Sequence, residues 1–381
     1  MKQFKCLLPS GIEFGPGKIN SLPEMLPGGT TLLLTDKGVA ASGIVSRVKE
    51  RCQAGSEQVH EFMDVPPEPS EDQVAEVVEK LSNLNVRAIV ALGGGSVMDM
   101  AKLISIMLGD GPNITNLFDG KLPRKRSLQL IMIPTTAGTG SEATPNAIIY
   151  RPSLQLKVGI VCDAFMPDRV ILDPELITGL PAPITAATGM DALCHALECY
   201  ISNKANLLSD MLAIEAIRLI FKSLKKSYAD GSDLEARADM LLASFYAGIC
   251  IAASGTNGVH ALSYPLGGRY RIPHGISNAI LLAPVFACNK DACVDKLAAI
   301  AHLCGKDIHG KTEEQKVDAF VGFLEELSRD VGIPTRLSEL GVPSDDLDEI
   351  VEAALQVKRL LDNNPKPLTR DEIHSIYSSI L

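Results

Sequence analysis

The sequence predicts an α/β domain with a parallel sheet, followed by an all-helical domain. The chain has 381 residues, which is too long for one compact core. In its first half, short apolar runs alternate with helical patterns, as is typical of a parallel sheet. After "GLPAPIT" (179–185) helical patterns dominate and clear strand patterns are absent. We therefore expect two domains, residues 1–180 and 181–381.

The first half supplies the predicted strands. "TTLLLTD" (30–36), "VRAIVALGGGS" (86–96) and "LQLIMIPTT" (128–136) have the apolar character of buried strands. Helical patterns cover 43–53, 70–85 and 97–108, and Ser70 followed by acidic residues is typical of a capped helix start. In the second half the predicted helices are 190–202, 209–227, 233–252, 275–288, 314–331 and 345–361.

The composition excludes several classes of partner. Apolar residues make up 46% and charged residues 22%, as in an ordinary soluble protein, and the net charge of −10 argues against nucleic acid or an anionic membrane. The start of the chain lacks the apolar stretch of a secretory signal, and no apolar run is long enough for a membrane span. Nine cysteines without a CxxC pair indicate reduced thiols, so we expect a cytoplasmic protein.

A glycine turn joins a predicted strand to a predicted helix in "ALGGGSVMDMAK". Gly93, Gly94 and Gly95 would let the backbone approach a phosphate, and the helix N-terminus would supply free N–H groups. We expect Ser96 to be the N-cap, with Asp99 as its capping partner. The turn is neither GxGxxG nor a P-loop, so a simple tight turn is an alternative interpretation.

Two further elements favour a dinucleotide. Asp36 ends a predicted strand, where a carboxylate can bind the adenosine ribose of NAD and repel the 2′-phosphate of NADP, although it could also only cap a helix. "PTTAGTGSEAT" (134–144) offers hydroxyl groups and flexible backbone N–H groups, which suit a diphosphate or ribose but also a polar turn. The three elements together favour a dinucleotide more than any one alone.

A metal site is predicted in the helical half. Asp191 and His195 in "GMDALCHALECYIS" (189–202) are four residues apart and share a helix face. His260 lies at the end of a helical run that Pro265 interrupts, and His274 begins the next helix. One Asp and three His suit Fe²⁺ or Zn²⁺, with Mn²⁺, Ni²⁺ or Co²⁺ also acceptable, whereas any single His could equally be a structural residue.

These motifs resemble those of the iron-containing (group III) alcohol dehydrogenases. The resemblance covers nearly the whole chain in the family's order, through "FGPGK" (14–18), "LTDKG" (34–38), "GGGSVMDMAK" (93–102), "PTTAGTGSE" (134–142), "GMDALCHALE" (189–198) and the stretch from His260 to Gly275. It implies a Rossmann-like N-terminal domain and an all-α C-terminal domain, the fold shared with glycerol dehydrogenases and dehydroquinate synthases. It also implies an active site in the cleft between the domains.

The resemblance carries over residue by residue. It implies that Asp191, His195, His260 and His274 bind the metal. This set of four distinguishes the family from glycerol dehydrogenases, which use one Asp and two His. It implies that NAD is the cofactor. The residues implied to contact NAD are Asp36, Gly93, Gly94, Gly95, Ser96, Asp99, Thr135, Thr136, Thr139 and Lys157, of which Lys157 matches a lysine near the nicotinamide ribose.

Three positions depart from the family's usual pattern. Tyr264 stands where many members have a second histidine that is a candidate proton relay. Arg271 replaces a small polar residue, and it could grip an anionic substrate or form a structural ion pair. Glu68 stands where many members have Asn, which changes either a cofactor contact or only a loop. Tyr264 and Arg271 are the candidate substrate-pocket residues.

The sequence thus predicts an NAD(H)-dependent alcohol dehydrogenase or aldehyde reductase. The metal would polarise the oxygen of a small alcohol or aldehyde, and the nicotinamide would exchange hydride with its carbon. An anionic aldehyde such as sulfoacetaldehyde is a refinement that depends on Arg271. The alternatives are a non-redox lyase on the same fold and a silent NAD-binding module. By analogy we expect a homodimer or higher homo-oligomer.

Overall fold

A computed structural model describes residues 3–108, 111–153 and 156–381. The chain forms two compact units. One is Cys6–Leu180, and the other is Pro181–Leu381 together with the N-terminal residues up to Lys5.

The first unit contains a six-stranded parallel sheet in the order β1-β8-β5-β4-β2-β3 and a separate antiparallel pair, β6-β7. The strands are β1 Gly11–Phe14, β2 Thr30–Leu34, β3 Gln58–Phe62, β4 Val86–Gly93, β5 Gln129–Pro134, β6 Asn146–Arg151, β7 Leu156–Val161 and β8 Arg169–Leu172. The central strands β4 and β5 are buried almost throughout, which explains their continuous apolar sequences. The parallel sheet confirms the predicted fold class, whereas the β6-β7 hairpin was not predicted.

In the described part of this unit, six α-helices accompany these strands. They are α1 Leu22–Met25, α2 Lys37–Ala41, α3 Ile44–Gly55, α4 Glu71–Leu81, α5 Gly95–Met107 and α6 Ile114–Phe118. A capping box starts α4, because the Ser70 and Gln73 side chains each bond the other's backbone N–H. Helix α5 follows β4 directly and is buried from Val97 to Met107, so the turn between them is rigidly supported.

The second unit is all-helical, as predicted, but it contains ten α-helices where the sequence pattern indicated six. They are α7 Ala182–Ile201, α8 Leu207–Ala229, α9 Leu234–Ser254, α10 Gly258–Tyr270, α11 His274–Asn289, α12 Val294–Ile300, α13 Glu313–Asp330, α14 Leu347–Leu355, α15 Lys358–Leu361 and α16 Arg370–Ser378. The long helices α7, α8 and α9 pack on one another. By length and composition alone α9 could cross a membrane, but 61% of its apolar window is buried within the fold, as expected of a core helix.

Two expectations for this unit are corrected. Helix α10 begins at Gly258 and continues through Pro265, so His260 lies in its first turn rather than at the end of a helical run. Proline removes one hydrogen bond from a helix, but here the neighbouring packing keeps the helix intact, and Leu266 beyond it is fully buried. The predicted helix 345–361 is divided between α14 and α15.

Candidate metal centre and nucleotide-binding turn

The four predicted metal ligands converge within the helical unit. Asp191 and His195 lie on α7, His260 in the first turn of α10, and His274 at the start of α11. One ligand atom from each lies within 4.8 Å of all the others. The distances from Asp191 Oδ1 to the three histidine Nε2 atoms are 3.9, 3.9 and 3.8 Å. A four-coordinate ion with bonds of about 2.1 Å needs ligand atoms about 3.4 Å apart, so the three distances from Asp191 are within about 0.5 Å of those that a bound ion would require.

Helix α7 presents one continuous polar face at this site. Asp191, His195 and Glu198 are separated by four and three residues, so they lie on the same side of the helix. Their exposed fractions are 2%, 5% and 0%. Burying a polar side chain costs free energy unless it is hydrogen-bonded or binds an ion. Three buried polar side chains on one face of an apolar helix therefore indicate a common function.

Glu198 was not predicted as a site residue, yet it holds His260 in place. Its Oε2 lies against Nδ1 of His260, and its Oε1 accepts hydrogen bonds from the backbone N–H groups of Asn257, Val259 and His260. A carboxylate beside Nδ1 keeps the proton on that nitrogen, so the Nε2 lone pair faces the other ligands. Its spacing from Asp191 and His195 on one apolar helix was the signal that could have found it.

The electrostatics of the cluster favour an ionised carboxylate. Burial alone would raise the pKa of Asp191, but His195, His274 and His260 together hold it below its ordinary value. Burial lowers the pKa of His260, and the Glu198 carboxylate more than offsets this, so its pKa is raised. One anion and three nitrogen lone pairs converging in a buried site fit a divalent cation such as Fe²⁺.

Asn278 is a second site residue that was not predicted from the sequence. Its Nδ2 donates to Asp191 Oδ1 at 2.7 Å and lies 3.0 and 3.2 Å from Nε2 of His260 and His274. It is fully buried on α11, one turn after His274. The carboxamide therefore links Asp191 of α7 to His260 of α10 and His274 of α11.

The glycine turn lies at the N-terminus of α5. Gly94 is the N-cap and makes no side-chain cap bond, so the expectation that Ser96 caps the helix is wrong. Ser96 instead lies within the first turn, where its Oγ accepts a hydrogen bond from the backbone N–H of Glu68. A helix N-terminus without a capping side chain is well suited to bind an anion.

The threonine loop packs directly on this turn. Thr135 N donates to Gly93 O at 3.0 Å. A Cβ added to Gly94 would lie 3.2 Å from Thr136 Oγ1, and one added to Gly95 would lie 2.8 Å from Thr139 Cγ2. The glycines are therefore required for close approach, and the two predicted cofactor elements form one surface.

A buried charged network supports that surface from behind. Lys102 on α5 is fully buried, and its Nζ donates to Ser141 O, Ser141 Oγ, Thr144 Oγ1 and Asn146 O. Asp99 accepts from Ser141 Oγ at 2.6 Å and from Ile148 N at 2.9 Å. Asp99 thus ties α5 to the loop and to β6, and it is not the partner of an N-cap at Ser96.

Asp36 and Lys157 occupy the ends of other elements in the same unit. Asp36 follows β2 and caps α2, accepting from Val39 N at 2.9 Å, which is the helix-capping role considered above. Asp36 lies just beyond the carboxyl end of β2, a strand that pairs with β4, and its binding of a ribose stays a prediction. Lys157 lies on β7, where its Nζ is 2.5 Å from Glu68 Oε1.

The two candidate substrate-pocket residues are both on or beside α10. The ring of Tyr264 lies one turn after His260, with its centroid 6.3 Å from that of His274. Arg271 ends α10 in the left-handed region, with φ of 55°, and is exposed. Among the described residues it forms no ion pair, whereas Arg269 pairs with Asp346 and Glu349.

Comparison with known proteins identifies the same family in both units. The pattern of the iron-containing alcohol dehydrogenases matches residues 9–174, and that of the C-terminal region of the Fe-containing alcohol dehydrogenase family matches residues 185–381. The chain is 37% identical to long-chain-alcohol dehydrogenase 1 of Geobacillus thermodenitrificans, a match that covers all of this chain and 97% of the relative.

Solved structures agree with this result. A crystal structure of 1,3-propanediol oxidoreductase superimposes with a TM-score of 0.94 at 36% identity and covers all of both chains. Sulfoacetaldehyde reductase from Bifidobacterium kashiwanohense, solved in complex with NAD⁺, superimposes with a TM-score of 0.88 at 31% identity over 100% of this chain and 99% of that one.

The fold and the chemistry of the four converging ligands agree with these relationships. They favour a redox enzyme over the lyase and silent-module alternatives that the sequence left open. The chain belongs to the iron-containing alcohol dehydrogenase family and is a metal-dependent oxidoreductase that interconverts alcohols and aldehydes.

Proposed function

We propose that this protein is an NAD(H)-dependent alcohol dehydrogenase that reduces a small aldehyde, with Fe²⁺ as its preferred metal. The observation that carries the proposal is the convergence of Asp191, His195, His260 and His274 in a buried site. When bound, the divalent metal supplies Lewis-acid polarisation of the substrate oxygen, and the nicotinamide supplies or accepts the hydride.

The protein's own residues hold and orient these groups. Asp191 contributes the anionic ligand and the three histidines contribute Nε2 lone pairs, while Glu198 fixes the orientation of His260. Asp191, His195 and His260 are buried and His274 is partly exposed, and all four lie on three helices. The site is therefore organised by the fold rather than by flexible loops. Because the ligands are already in place, substrate binding does not have to arrange them before reaction.

The N-terminal unit supplies the features for binding NAD(H). The diphosphate would bind at the α5 N-terminus, where the backbone of Gly94, Gly95 and Ser96 is not masked by side chains. Asp36, at the end of β2, would accept a hydrogen bond from the adenosine ribose and disfavour the 2′-phosphate of NADP. The NAD⁺ complex of the related sulfoacetaldehyde reductase supports this choice of cofactor.

Arg271 is the proposed determinant for an anionic aldehyde. Its guanidinium is exposed, forms no ion pair with any residue that the structure describes, and belongs to the segment that leads to His274. A non-glycine residue in the left-handed region costs about 1 kcal/mol, so its side chain is expected to have a role that offsets this cost. A guanidinium binds a sulfonate or carboxylate through two parallel hydrogen bonds.

Tyr264 is proposed to contact the substrate as a hydrogen-bond donor. An unperturbed tyrosine has a pKa of about 10, so it is less suited than histidine to move a proton at neutral pH. We therefore propose that Tyr264 orients the substrate oxygen. We also propose that the protein acts in the cytoplasm, since its nine cysteines are all free thiols, and, by analogy with its relatives, that it forms a homodimer or higher homo-oligomer.

The experiment that tests the function is metal reconstitution. Metal-stripped protein, reloaded singly with Fe²⁺, Zn²⁺ or Mn²⁺, is expected to oxidise NADH in the presence of short aldehydes and to use NADPH poorly. The exposed residue His302 provides a matched control, because His302→Ala should leave turnover unchanged whereas His274→Ala should abolish metal binding. Absence of turnover with every metal and aldehyde would contradict the proposal.

The role of Arg271 has its own test. Arg271→Ala is expected to lower kcat/KM for sulfoacetaldehyde by about tenfold or more and to leave neutral aldehydes nearly unaffected, because a lost charge-assisted bond costs about 1.5–3 kcal/mol. Arg269→Ala is the control, since Arg269 already pairs with two surface carboxylates. An equal loss of kcat/KM for sulfoacetaldehyde and for neutral aldehydes would contradict the proposal that Arg271 binds an anionic substrate.

A further inference from the structure

Asn278 reaches the metal centre from the same helix as His274. The two residues are four positions apart on α11, so their side chains lie on one face of that helix. Asn278 is fully buried, and the residues that follow it on the helix, from Ala279 to Ala283, are buried as well. The packing of α11 therefore holds the carboxamide of Asn278 at the centre.

The amide nitrogen of Asn278 points at atoms of the predicted metal ligands. Nδ2 lies 2.7 Å from Asp191 Oδ1, 3.0 Å from His260 Nε2 and 3.2 Å from His274 Nε2. Asp191, His260 and His274 are three of the four residues that converge here. An NH₂ group has two hydrogens, so it cannot give each of the three acceptors a full hydrogen bond.

A cation and an N–H group cannot use the same lone pair. Nδ1 of His260 lies against the Glu198 carboxylate, which keeps the ring proton there and leaves Nε2 with its lone pair. If this lone pair accepts a hydrogen bond from Asn278, it is not available to a metal. In the observed orientation, the NH₂ group of Asn278 therefore opposes metal binding.

The other end of the same carboxamide has the opposite chemistry. Oδ1 of Asn278 is buried, and among the residues that the structure describes it has no hydrogen-bond partner. A buried oxygen without a partner is unfavourable. A half-turn about the Cβ–Cγ bond exchanges the oxygen and the nitrogen at nearly equal volume, and this torsion has two similar minima. The exchange directs a lone pair at the cation without any movement of α11.

We propose that Asn278 is a fifth donor to the metal, that its carboxamide oxygen is directed at the bound cation, and that this oxygen favours Fe²⁺ or Mn²⁺ over Zn²⁺. The inference rests on the proposed metal-dependent function. Carbonyl oxygens suit Mn²⁺, and Fe²⁺ and Mn²⁺ accept more than four ligands. Zn²⁺ is most often four-coordinate, so one Asp and three His already satisfy it.

The test measures metal affinity rather than turnover. Metal-stripped protein and its Asn278→Ala variant are titrated with Mn²⁺ and with Zn²⁺, each in competition with a chelator of known affinity. The variant is expected to bind Mn²⁺ about tenfold or more weakly and to keep Zn²⁺ affinity within about threefold, because only Mn²⁺ uses the lost oxygen. A general loss of stability would weaken both metals and leave the ratio of their affinities unchanged.

Two further variants separate this role from a structural one. Asn278→Asp has an oxygen at both ends of the group, so it should bind Mn²⁺ at least as tightly as the unmodified protein. Asn289→Ala is the matched control, because Asn289 is also fully buried on α11 but its amide pairs with Asn364. This variant should lower the melting temperature and leave the ratio of Mn²⁺ to Zn²⁺ affinity unchanged.

The direction of the change distinguishes the two ends of the carboxamide. If the NH₂ group still faced the ligands in the metal-bound protein, Asn278→Ala would remove a competitor and tighten the binding of both metals. Tighter binding of both, an equal loss for both or unchanged affinities would overturn the inference, as would weaker Mn²⁺ binding by Asn278→Asp. If the unmodified protein binds neither Mn²⁺ nor Zn²⁺, the proposed metal-dependent function fails first and this inference with it.

Discussion

Replacing Glu198 with Gln should reduce metal affinity while leaving the fold nearly unchanged. In the structure, Glu198 Oε1 accepts from three backbone N–H groups at 2.7–3.2 Å, and Oε2 contacts His260 Nδ1. The Gln side chain can keep its oxygen on the backbone N–H groups. Its NH₂ group then faces Nδ1, which must become an acceptor, so the His260 proton moves to Nε2.

That change of tautomer removes a metal-binding lone pair. Carboxylates that orient ligating histidines typically contribute 10- to 100-fold to metal affinity. The expected loss of about 10- to 100-fold corresponds to about 1.4–2.8 kcal/mol. Glu198→Ala should have a second effect, because it leaves three buried N–H groups without their acceptor, at about 1–3 kcal/mol each.

The assay is competition with a chelator of known affinity, combined with thermal unfolding of the metal-free protein. Glu198→Gln should bind Fe²⁺ or Zn²⁺ at least tenfold more weakly at nearly unchanged melting temperature, and Glu198→Ala should show both losses. Glu215→Gln is the control, since Glu215 forms a half-exposed pair with Arg218 worth less than about 1 kcal/mol. Wild-type metal affinity in Glu198→Gln would refute the reasoning about the tautomer.

Three further predictions follow from local geometry. Gly95→Ala should weaken NADH binding by at least about tenfold with unchanged metal affinity, measured by titration, because the new Cβ would lie 2.8 Å from Thr139 Cγ2. Glu142→Gln should stabilise the protein well above pH 7, by up to about 3 kcal/mol in denaturant unfolding. Burial raises the pKa of Glu142 from 4.5 to about 7, so between these values the folded protein binds a proton that the unfolded chain has lost, and stability falls as pH rises through this range. The variant should therefore show no gain below pH 4.5. Tyr264→Phe should lower kcat more than Tyr264→His in a pH–rate profile, and equal activity of all three proteins would exclude contact of this residue with the reacting oxygen.

The sequence predicted the architecture because both units have unambiguous patterns. The buried strands β4 and β5 are continuous apolar runs, and the helices of the second unit have clear periodicity. The β6-β7 hairpin escaped prediction because its strands are only partly buried and lack strict alternation. Pro265 predicted a break in α10 that tertiary packing overrides.

The site was predictable where spacing encodes geometry and not where it depends on tertiary contacts. The spacing of Asp191 and His195 indicated a shared face on α7 directly. Glu198 contacts the start of α10, which lies 59 or more positions further along the chain. Asn278 contacts Asp191, which is 87 positions away. No local sequence pattern reveals contacts over such separations. Ser96 was expected to cap α5 because serine commonly does so, but the turn needs Gly94 at that position to accommodate Thr136.

Glu198 shows how this fold and its chemistry depend on the same atoms. The N-terminus of α10 presents unpaired N–H groups and a positive dipole end, and a buried carboxylate from α7 satisfies both. Because backbone N–H groups hold one oxygen of this carboxylate, the other oxygen has a fixed position against His260 Nδ1. The fold therefore determines the tautomer of His260. The ligand set is therefore organised by the packing of α7 against α10. Glu198→Gln removes the charge of this carboxylate and keeps its oxygen on the backbone N–H groups, so it separates weakening of the metal site from loss of the fold.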